Sequence, residues 1–349
     1  MNDSSGNWFG KLFKKVSQED PGVTPKPTPK LDPRNADAWN NKGNSLNNLS
    51  RYEEAIFCFD KALELDPRNV TAWTNKGGSL GSLGRYQEAI RSCDKALEFD
   101  PNRTIAWTNK GISLHNLGRD EEAIRCYDKA LELDPRYAAA WTNKGNSFDN
   151  LGRHEEAVGC FDRALELGQR NAAVWNNKGG SLHRLGRDEE AIRCFDKAMK
   201  LGLHITTVWT NKGNSLGSLE RFEEAINCFD QALELDPRYT FAWNNKGSSL
   251  HSVKRDEEAI LCFEKALELD SRYAAAWYNK GNSLNAMSSY EEAIYCYDKA
   301  LELDPRDFNA WASKSISLYS MGRKEEAIFC YDKSLELAPP MHLPVSAKH

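Results

Sequence analysis

Cysteine and histidine are the residues of this chain that could bind a metal ion or act as nucleophiles. The chain has nine cysteines and seven histidines, but no cysteine has a second Cys or a His two to four residues away, which is the usual spacing of zinc ligands. Eight cysteines hold one position of a recurring pattern, and Cys93 lies one residue later in its own copy: Cys58, Cys126, Cys160, Cys194, Cys228, Cys262, Cys296 and Cys330. We predict buried, reduced thiols, no metal and no cofactor.

Histidine and aspartate recur together in alternate copies of the pattern. His115, His183 and His251 are accompanied by Asp120, Asp188 and Asp256. Two copies of separation prevent these histidines from sharing a metal, so we interpret them as traces of an older duplication. No nucleophile–base–acid set, phosphate loop or pair of catalytic carboxylates stands out from the repeat background. The sequence therefore predicts a protein that is not an enzyme.

The spacing of the tryptophans gives the length of the repeat. A Trp-x-Asn-Lys-Gly-x-Ser frame recurs with its tryptophans 34 residues apart and without insertion or deletion. The tryptophans are Trp39, Trp73, Trp107, Trp141, Trp175, Trp209, Trp243, Trp277 and Trp311. Such a fixed period indicates a repeat protein, in which each unit stacks on its neighbours.

Each repeat is predicted to contain two helices. A turn such as Leu117-Gly118-Arg119 separates them, and Asp134-Pro135 ends the second helix because proline cannot continue it. Small residues such as Gly111 allow the helices to approach closely, while aromatic residues such as Trp107 and Tyr127 fill the space around them. We expect an all-α chain with nine helix-turn-helix repeats over residues 36–341.

At these positions the chain resembles the tetratricopeptide repeat family. The signature of that family falls in the first repeat on Trp39, Gly43, Ala55, Phe59, Ala62 and Pro67, and later repeats match at the same offsets. Two departures are systematic: lysine replaces the usual leucine before the glycine, and leucine replaces an aromatic residue at Leu46 and its counterparts, except at Phe148 in the fourth repeat. The resemblance implies a right-handed superhelical solenoid. The Lys-Gly frame is similar to archaeal and bacterial members.

An asparagine recurs on the helix face opposite the packed stripe. In this family that face lines a concave groove that binds extended peptides, so the resemblance implies peptide-binding residues in two rows. The first row is Asn41, Asn75, Asn109, Asn143, Asn177, Asn211, Asn245 and Asn279, and the second is Asn44, Asn146, Asn214 and Asn282. A row of amides can donate to and accept from a peptide backbone without reading its sequence. It resembles the asparagine ladder of O-linked N-acetylglucosamine transferases. Alternatively, each asparagine bonds to a neighbouring helix.

A lysine also recurs in every repeat, at the edge of the packed stripe. We expect its aliphatic stem to cover apolar surface and its ammonium to approach a glutamate such as Glu122. The alternative is a row of positive charges that binds an acidic ligand. The acidic residues of the second helices favour the first interpretation, because they would neutralise the row.

The composition limits the classes of binding partner. The formal net charge of −5 argues against nucleic acid, which requires a basic face. No apolar run approaches the length of a membrane span, and the N-terminus lacks the apolar segment of a signal peptide. We therefore expect a cytoplasmic protein that binds proteins or extended peptides.

The ends of the chain differ from the repeats. Residues 1–35 combine a basic amphipathic segment with a proline-rich linker. Residues 8–16 could cap the first repeat or make weak contact with a membrane surface. Residues 342–349 form a short tail without a capping helix, which favours end-to-end self-association.

These features predict a scaffold that binds extended peptide segments through its asparagines. Two other functions stay open: a self-assembling structural solenoid, and a regulatory subunit that partners a glycosyltransferase.

Overall fold

The computed structural model describes residues 34–168 and 171–338, and all regular secondary structure in these ranges is helical. The chain divides into two compact units, residues 1–169 and 170–349. The predicted N-terminal amphipathic segment and the tail at 342–349 lie outside the described residues.

Eight helices form the described part of the first unit. They are α1 (Ala36–Asn48), α2 (Tyr52–Leu65), α3 (Val70–Ser82), α4 (Tyr86–Phe99), α5 (Thr104–Asn116), α6 (Asp120–Leu133), α7 (Ala138–Asn150) and α8 (His154–Glu166).

Ten helices form the described part of the second unit. They are α9 (Ala172–Arg184), α10 (Asp188–Lys200), α11 (Thr206–Ser218), α12 (Phe222–Leu235), α13 (Thr240–Ser252), α14 (Asp256–Leu269), α15 (Ala274–Ala286), α16 (Tyr290–Leu303), α17 (Phe308–Ser320) and α18 (Lys324–Leu337).

Each odd-numbered helix, here called an A helix, forms one repeat with the B helix that follows it. Within each unit a B helix packs against its own A helix and the next one, and successive A helices also touch. Each unit is therefore a stack of helix pairs, four in the first and five in the second. The prediction of an all-α chain with nine helix-turn-helix repeats is confirmed.

The turn from A helix to B helix requires a left-handed residue. Gly118 has φ 73°, and the following Arg119 N–H donates to the Leu114 carbonyl at 3.0 Å, which closes the helix end. Four repeats place a residue with a side chain here instead of glycine: Ser50, Glu220, Lys254 and Ser288. Glycine is thus the unstrained choice at this turn, but the fold tolerates its loss.

The turn from B helix to the next A helix is held by tryptophan. The indole N–H of Trp141 donates to the Pro135 carbonyl at 3.1 Å. Where serine replaces the proline, Trp277 still donates to the Ser271 carbonyl at 3.1 Å. The bond is to the backbone, so it does not depend on the residue at the turn.

Within a repeat, one glycine faces one aromatic ring. A methyl group placed on Gly179 would lie 2.6 Å from Cε1 of Phe195, whereas a methyl group on the adjacent Gly180 would meet nothing within 4 Å. Phe195 is fully buried. The glycine of the Lys-Gly frame therefore leaves the space that the ring occupies.

These adjacent glycines give a matched test of close packing. We expect Gly179→Ala to destabilise the second unit by about 1–3 kcal/mol, because the added methyl overpacks the ring. Gly180→Ala should instead stabilise it by up to about 1 kcal/mol, since alanine is the better helix former. Urea midpoints of the two variants decide the matter. Equal shifts for both would contradict the packing role.

The last repeat departs from this arrangement. Ser315 replaces the glycine, and the ring opposite it, Tyr331, is 53% exposed. The seven equivalent rings are fully buried: Phe59, Tyr127, Phe161, Phe195, Phe229, Phe263 and Tyr297. Repeat 2 has no ring at all, because Cys93 occupies the position and approaches Gly77.

Candidate functional site

The candidate site is the face of the A helices that carries the two asparagine rows, here called the A face. Asn41 is exposed at the first repeat, and the remaining predicted residues are half-buried. The half-buried set is Asn75, Asn109, Asn143, Asn177, Asn211, Asn245, Asn279, Asn44, Asn146, Asn214 and Asn282. Each of these residues is therefore partly in contact with the protein and partly accessible to solvent.

In the first unit, two of these amides bond to the preceding A helix. Asn75 donates to Oδ1 of Asn40 at 3.2 Å, and Asn109 donates to the Thr74 carbonyl at 3.3 Å. Asn143 differs, because it donates to the Ala139 carbonyl of its own helix at 2.9 Å.

The second unit repeats the arrangement. Asn245 donates to Oδ1 of Asn214 at 2.8 Å, and Asn279 donates to Oδ1 of Asn244 at 3.0 Å. Asn211 makes no side-chain hydrogen bond to another described residue. Bonding to a neighbouring helix, the alternative raised by the sequence, therefore holds for four members of the first row.

These bonds do not use all the donors and acceptors of the amide groups. A primary amide has two N–H donors and a carbonyl with two lone pairs. After its one bond to the preceding repeat, Asn75 retains a second donor and its acceptor. Asn279 donates to both Asn244 and Ser248 of the preceding A helix and retains its acceptor. The row can therefore join the repeats and still meet a ligand.

A second row of bonds joins the A helices beside the asparagines. At five of the seven junctions within the units, the buried serine of the frame reaches a polar residue on the preceding A helix. In the first unit Ser79 donates to Asn47 at 2.7 Å, and Ser147 lies 3.1 Å from Nδ1 of His115. The second unit has the same contacts at Ser215–His183, Ser283–His251 and Ser317–Asn285. Each serine thereby fixes the spacing of its two A helices.

A cleft of about 280 Å³ opens on the A face of the second unit. It lies between α9, α11, α12 and α13, and its lining includes His183, Asn214, Asn245, Ser248 and Ser252. Two predicted site residues, Asn214 and Asn245, meet in it. The cleft presents hydroxyl and amide groups with no acid or lysine in its lining.

The recurrent lysines form ion pairs between adjacent repeats. Nζ of Lys110 lies 2.6 Å from Asp94 of the preceding B helix and 5.6 Å from the ring centroid of Trp107. Glu122, the partner suggested by the sequence, is bound by Arg119 instead. The expectation of a structural lysine is confirmed, but the acid named was wrong, because the ammonium points back to the previous repeat.

The lysine–acid pair recurs at every junction within the two units. The distances are 2.5–2.8 Å, and the pairs are Lys76–Asp60, Lys110–Asp94, Lys144–Asp128, Lys212–Asp196, Lys246–Asp230, Lys280–Glu264 and Lys314–Asp298. The acid stands 16 residues before each lysine. That constant offset was visible in the sequence and would have identified the partner.

The histidines sit in clusters that resemble a Ser–His–Asp triad in composition only. Asp120 lies 2.5 Å from Nδ1 of His115, and Ser147 lies 3.1 Å from the same nitrogen. A catalytic relay requires the acid and the hydroxyl at opposite ring nitrogens. Ser147 is also fully buried. The cluster therefore connects repeats and is not built as a nucleophile.

All nine cysteines are buried, and none forms a disulfide bond. Burial raises the pKa of Cys126, Cys160, Cys228, Cys262 and Cys296 to about 11 and that of Cys93 to about 12. A thiol with a raised pKa is a poor nucleophile and a poor metal ligand at neutral pH. Within the described residues no cluster of three or more metal-ligating side chains occurs.

The helices of the described ranges are also too short and too polar to cross a membrane.

Sequence comparison identifies the family. The tetratricopeptide repeat profile matches residues 36–69, 70–103, 104–137, 138–171, 207–239, 240–273 and 274–307, and related profiles of the same repeat match 172–201 and 296–329. The chain belongs to the tetratricopeptide repeat family, whose members are mainly scaffolds for protein–protein interaction. No curated protein matches it.

Solved structures show the same fold. The Cut9–Hcn1 hetero-tetramer of the APC/C is similar over 82% of this chain and 56% of that one, with 21% identity and a TM-score of 0.58. YrrB, described as a tetratricopeptide repeat protein with an unusual peptide-binding site, matches 55% of this chain and 98% of its own, with 27% identity and a TM-score of 0.49. MamA of Desulfovibrio magneticus RS-1 matches 49% and 96%, with 24% identity and a TM-score of 0.45. The chain thus spans about half of the first of these.

Proposed function

We propose that the protein is a scaffold that binds extended polypeptide segments along the A face, with the asparagines as backbone contacts. The observation that supports this most directly is the half-buried asparagine row. Four of its amides, Asn75, Asn109, Asn245 and Asn279, are held in place by the preceding repeat, and each keeps hydrogen-bonding capacity beyond that bond. A preorganised amide costs less entropy when a ligand binds.

The charge distribution supports a backbone ligand over an acidic one. The recurrent lysines are neutralised within the stack at all seven junctions of the two units. The cleft on the second unit is lined by uncharged amides, hydroxyls and glycines, together with one histidine and the rings of Phe222 and Phe229. Neutral donors and acceptors suit peptide N–H and C=O groups.

Sequence preference would come from positions that vary between repeats. Phe241 is 54% exposed at the start of α13, and its ring packs edge-on against Tyr273 at 5.6 Å and tilted against Tyr239 at 5.8 Å. The equivalent residue of the previous repeat is Thr207. Apolar ligand side chains would therefore be preferred beside α13.

Asn211 allows ligand binding to be tested apart from stability. It lies on the A face but makes no bond to the preceding repeat, so Asn211→Ala should leave the melting temperature unchanged or slightly raised. Affinity for a peptide should fall about two- to tenfold, which corresponds to one lost hydrogen bond. The peptide is selected from a displayed random library with the full chain and titrated by fluorescence anisotropy.

Two comparisons make this test specific. Asn227→Ala is the matched control, because Asn227 is exposed on the B helix α12, and it should change neither quantity. N-methylation of single backbone amides of the peptide should weaken binding at least as much as replacing the neighbouring side chains. Unchanged affinity for Asn211→Ala, together with tolerance of every N-methyl group, would refute backbone binding by the row.

A further inference from the structure

The outer faces of the first and last repeats carry side chains whose equivalents are buried or half-buried at the junctions inside the units. On the last B helix, α18, Ile328 is 61% and Leu335 is 58% exposed. Their equivalents one repeat earlier, Ile294 and Leu301, are each 7% exposed. Asp332, at the position that pairs with lysine elsewhere, is exposed and makes no ion pair within the described residues. We call the face formed by these three α18 residues the tail face.

The first A helix, α1, carries the complementary set. Lys42 is exposed, and its nearest recorded contact is the ring of Trp39, 5.3 Å from Nζ. No acid of the described residues pairs with it. Leu49 is 67% exposed, and Ser45 is exposed although the equivalent Ser79 is fully buried. We call the face formed by Ala38, Trp39, Lys42, Leu46 and Leu49 the head face.

The junction between the last two repeats shows how such faces fit. Asp298 pairs with Lys314 at 2.5 Å. Ile294 packs in one cluster with Leu318 and Met321. Leu301 packs with Ala310 and Trp311 in a second cluster. Every one of these partners has a counterpart on the head face, in the same order along the helix.

We propose that the tail face of one molecule binds the head face of a second copy of this chain. Asp332 then pairs with Lys42, Ile328 packs on Leu46 and Leu49, and Leu335 packs on Ala38 and Trp39. The contact reproduces a junction that the chain already forms seven times within its units. A second copy is the occupant that supplies both the apolar pattern and the opposite charge.

The symmetry of this contact has a direct consequence. Head and tail are different surfaces, so the interface is heterologous and each added molecule leaves one head and one tail free. Unless the rotation between copies closes a ring, the product is an open series of oligomers whose mean size grows with concentration. A dimer joined through two copies of the same face would be a different result.

Charge exchange between two variants tests the pairing. Lys42→Glu and Asp332→Lys each place like charges at the contact, so each variant alone should associate about tenfold more weakly than wild type. In an equimolar mixture, each tail meets a head of opposite charge, and association should return to near the wild-type level. Sedimentation velocity on the full chain at rising concentration measures all three samples.

Matched controls reverse charges away from the faces. Lys61 and Glu336 are both engaged in ion pairs within their own helices, so Lys61→Glu and Glu336→Lys should associate like wild type. Ile328→Asp should weaken association at least about tenfold, with or without a charge-exchanged partner, because it places a carboxylate in the apolar contact.

Three outcomes would overturn the proposal. The first is a wild-type chain that stays monomeric at the highest attainable concentration, as expected if terminal segments of the chain cover the faces. The second is a mixture of Lys42→Glu and Asp332→Lys that associates no better than either variant alone. The third is a dimer joined through two copies of the same face, whose mass stops rising with concentration.

Discussion

Trp243→Ala is expected to cost about 3–5 kcal/mol of local stability in the second unit. Its indole packs against three clusters, which include Phe263 of its own repeat, Leu233 of the preceding B helix and Leu267 of the following turn of α14. The indole N–H also donates to the Pro237 carbonyl at 2.9 Å. One substitution thus weakens packing within a repeat and between repeats.

Because each repeat contacts only its neighbours, the loss should stay local. Hydrogen exchange should accelerate in α12–α15, while α1–α6 of the first unit keep their protection. Phe241→Ala is the control, since it removes an exposed ring from the same helix and should cost about 1 kcal/mol or less. Uniform acceleration along the whole chain, or none, would contradict local coupling.

Alkaline destabilisation is the second large effect we expect, and its source is the buried thiols. Burial raises the pKa of Cys228, Cys262 and Cys296 from the ordinary 9.0 to about 11. The folded state therefore holds each proton more tightly than the unfolded state does. A raised pKa contributes stability that is complete below pH 9 and is lost as the pH rises through 11.

Each thiol should contribute on the order of 2 kcal/mol to this loss, because one pKa unit corresponds to about 1.4 kcal/mol. Burial also raises the pKa of Tyr127 and Tyr297, which adds to the loss. The urea midpoint should fall steeply between about pH 9 and pH 11. A variant with alanine at Cys228, Cys262 and Cys296 should show a shallower fall. Parallel curves for wild type and variant would disprove the thiol contribution.

The fold was predictable because one spacing repeats without error. The 34-residue interval between tryptophans, the turn glycines and the prolines after the B helices together determine two helices per repeat. The last repeat could also be recognised as atypical from Ser315 and Ser334. The exposure of Tyr331 is the structural counterpart of that departure.

The partners between repeats were harder to predict. The sequence suggests a glutamate such as Glu122 as the partner of the recurrent lysine, but the ammonium of Lys110 pairs with Asp94 of the preceding repeat. A helical wheel places a side chain on a face of its own helix and leaves undefined which neighbour it meets across a junction. The contact between Ser147 and His115 also crosses a junction, so the helical pattern did not predict it either.

The candidate site was predictable only in part. The sequence identified the asparagine row and its face, but not the bonds of Asn75 or Asn279 to the preceding repeat. These bonds change what a substitution measures, because they make such residues contribute to stability as well as to ligand contact. Asn211, which lacks the bond, is for that reason the informative position.

The constant lysine–acid offset also bears on how such a chain changes over evolutionary time. Unequal recombination between two identical positions of neighbouring repeats removes or duplicates a segment of 34 residues. The lysine that follows the recombination point still has an acidic residue 16 positions earlier, as Lys246 has Asp230. The gene can therefore lengthen or shorten by whole repeats in a single step without leaving an unmatched charge.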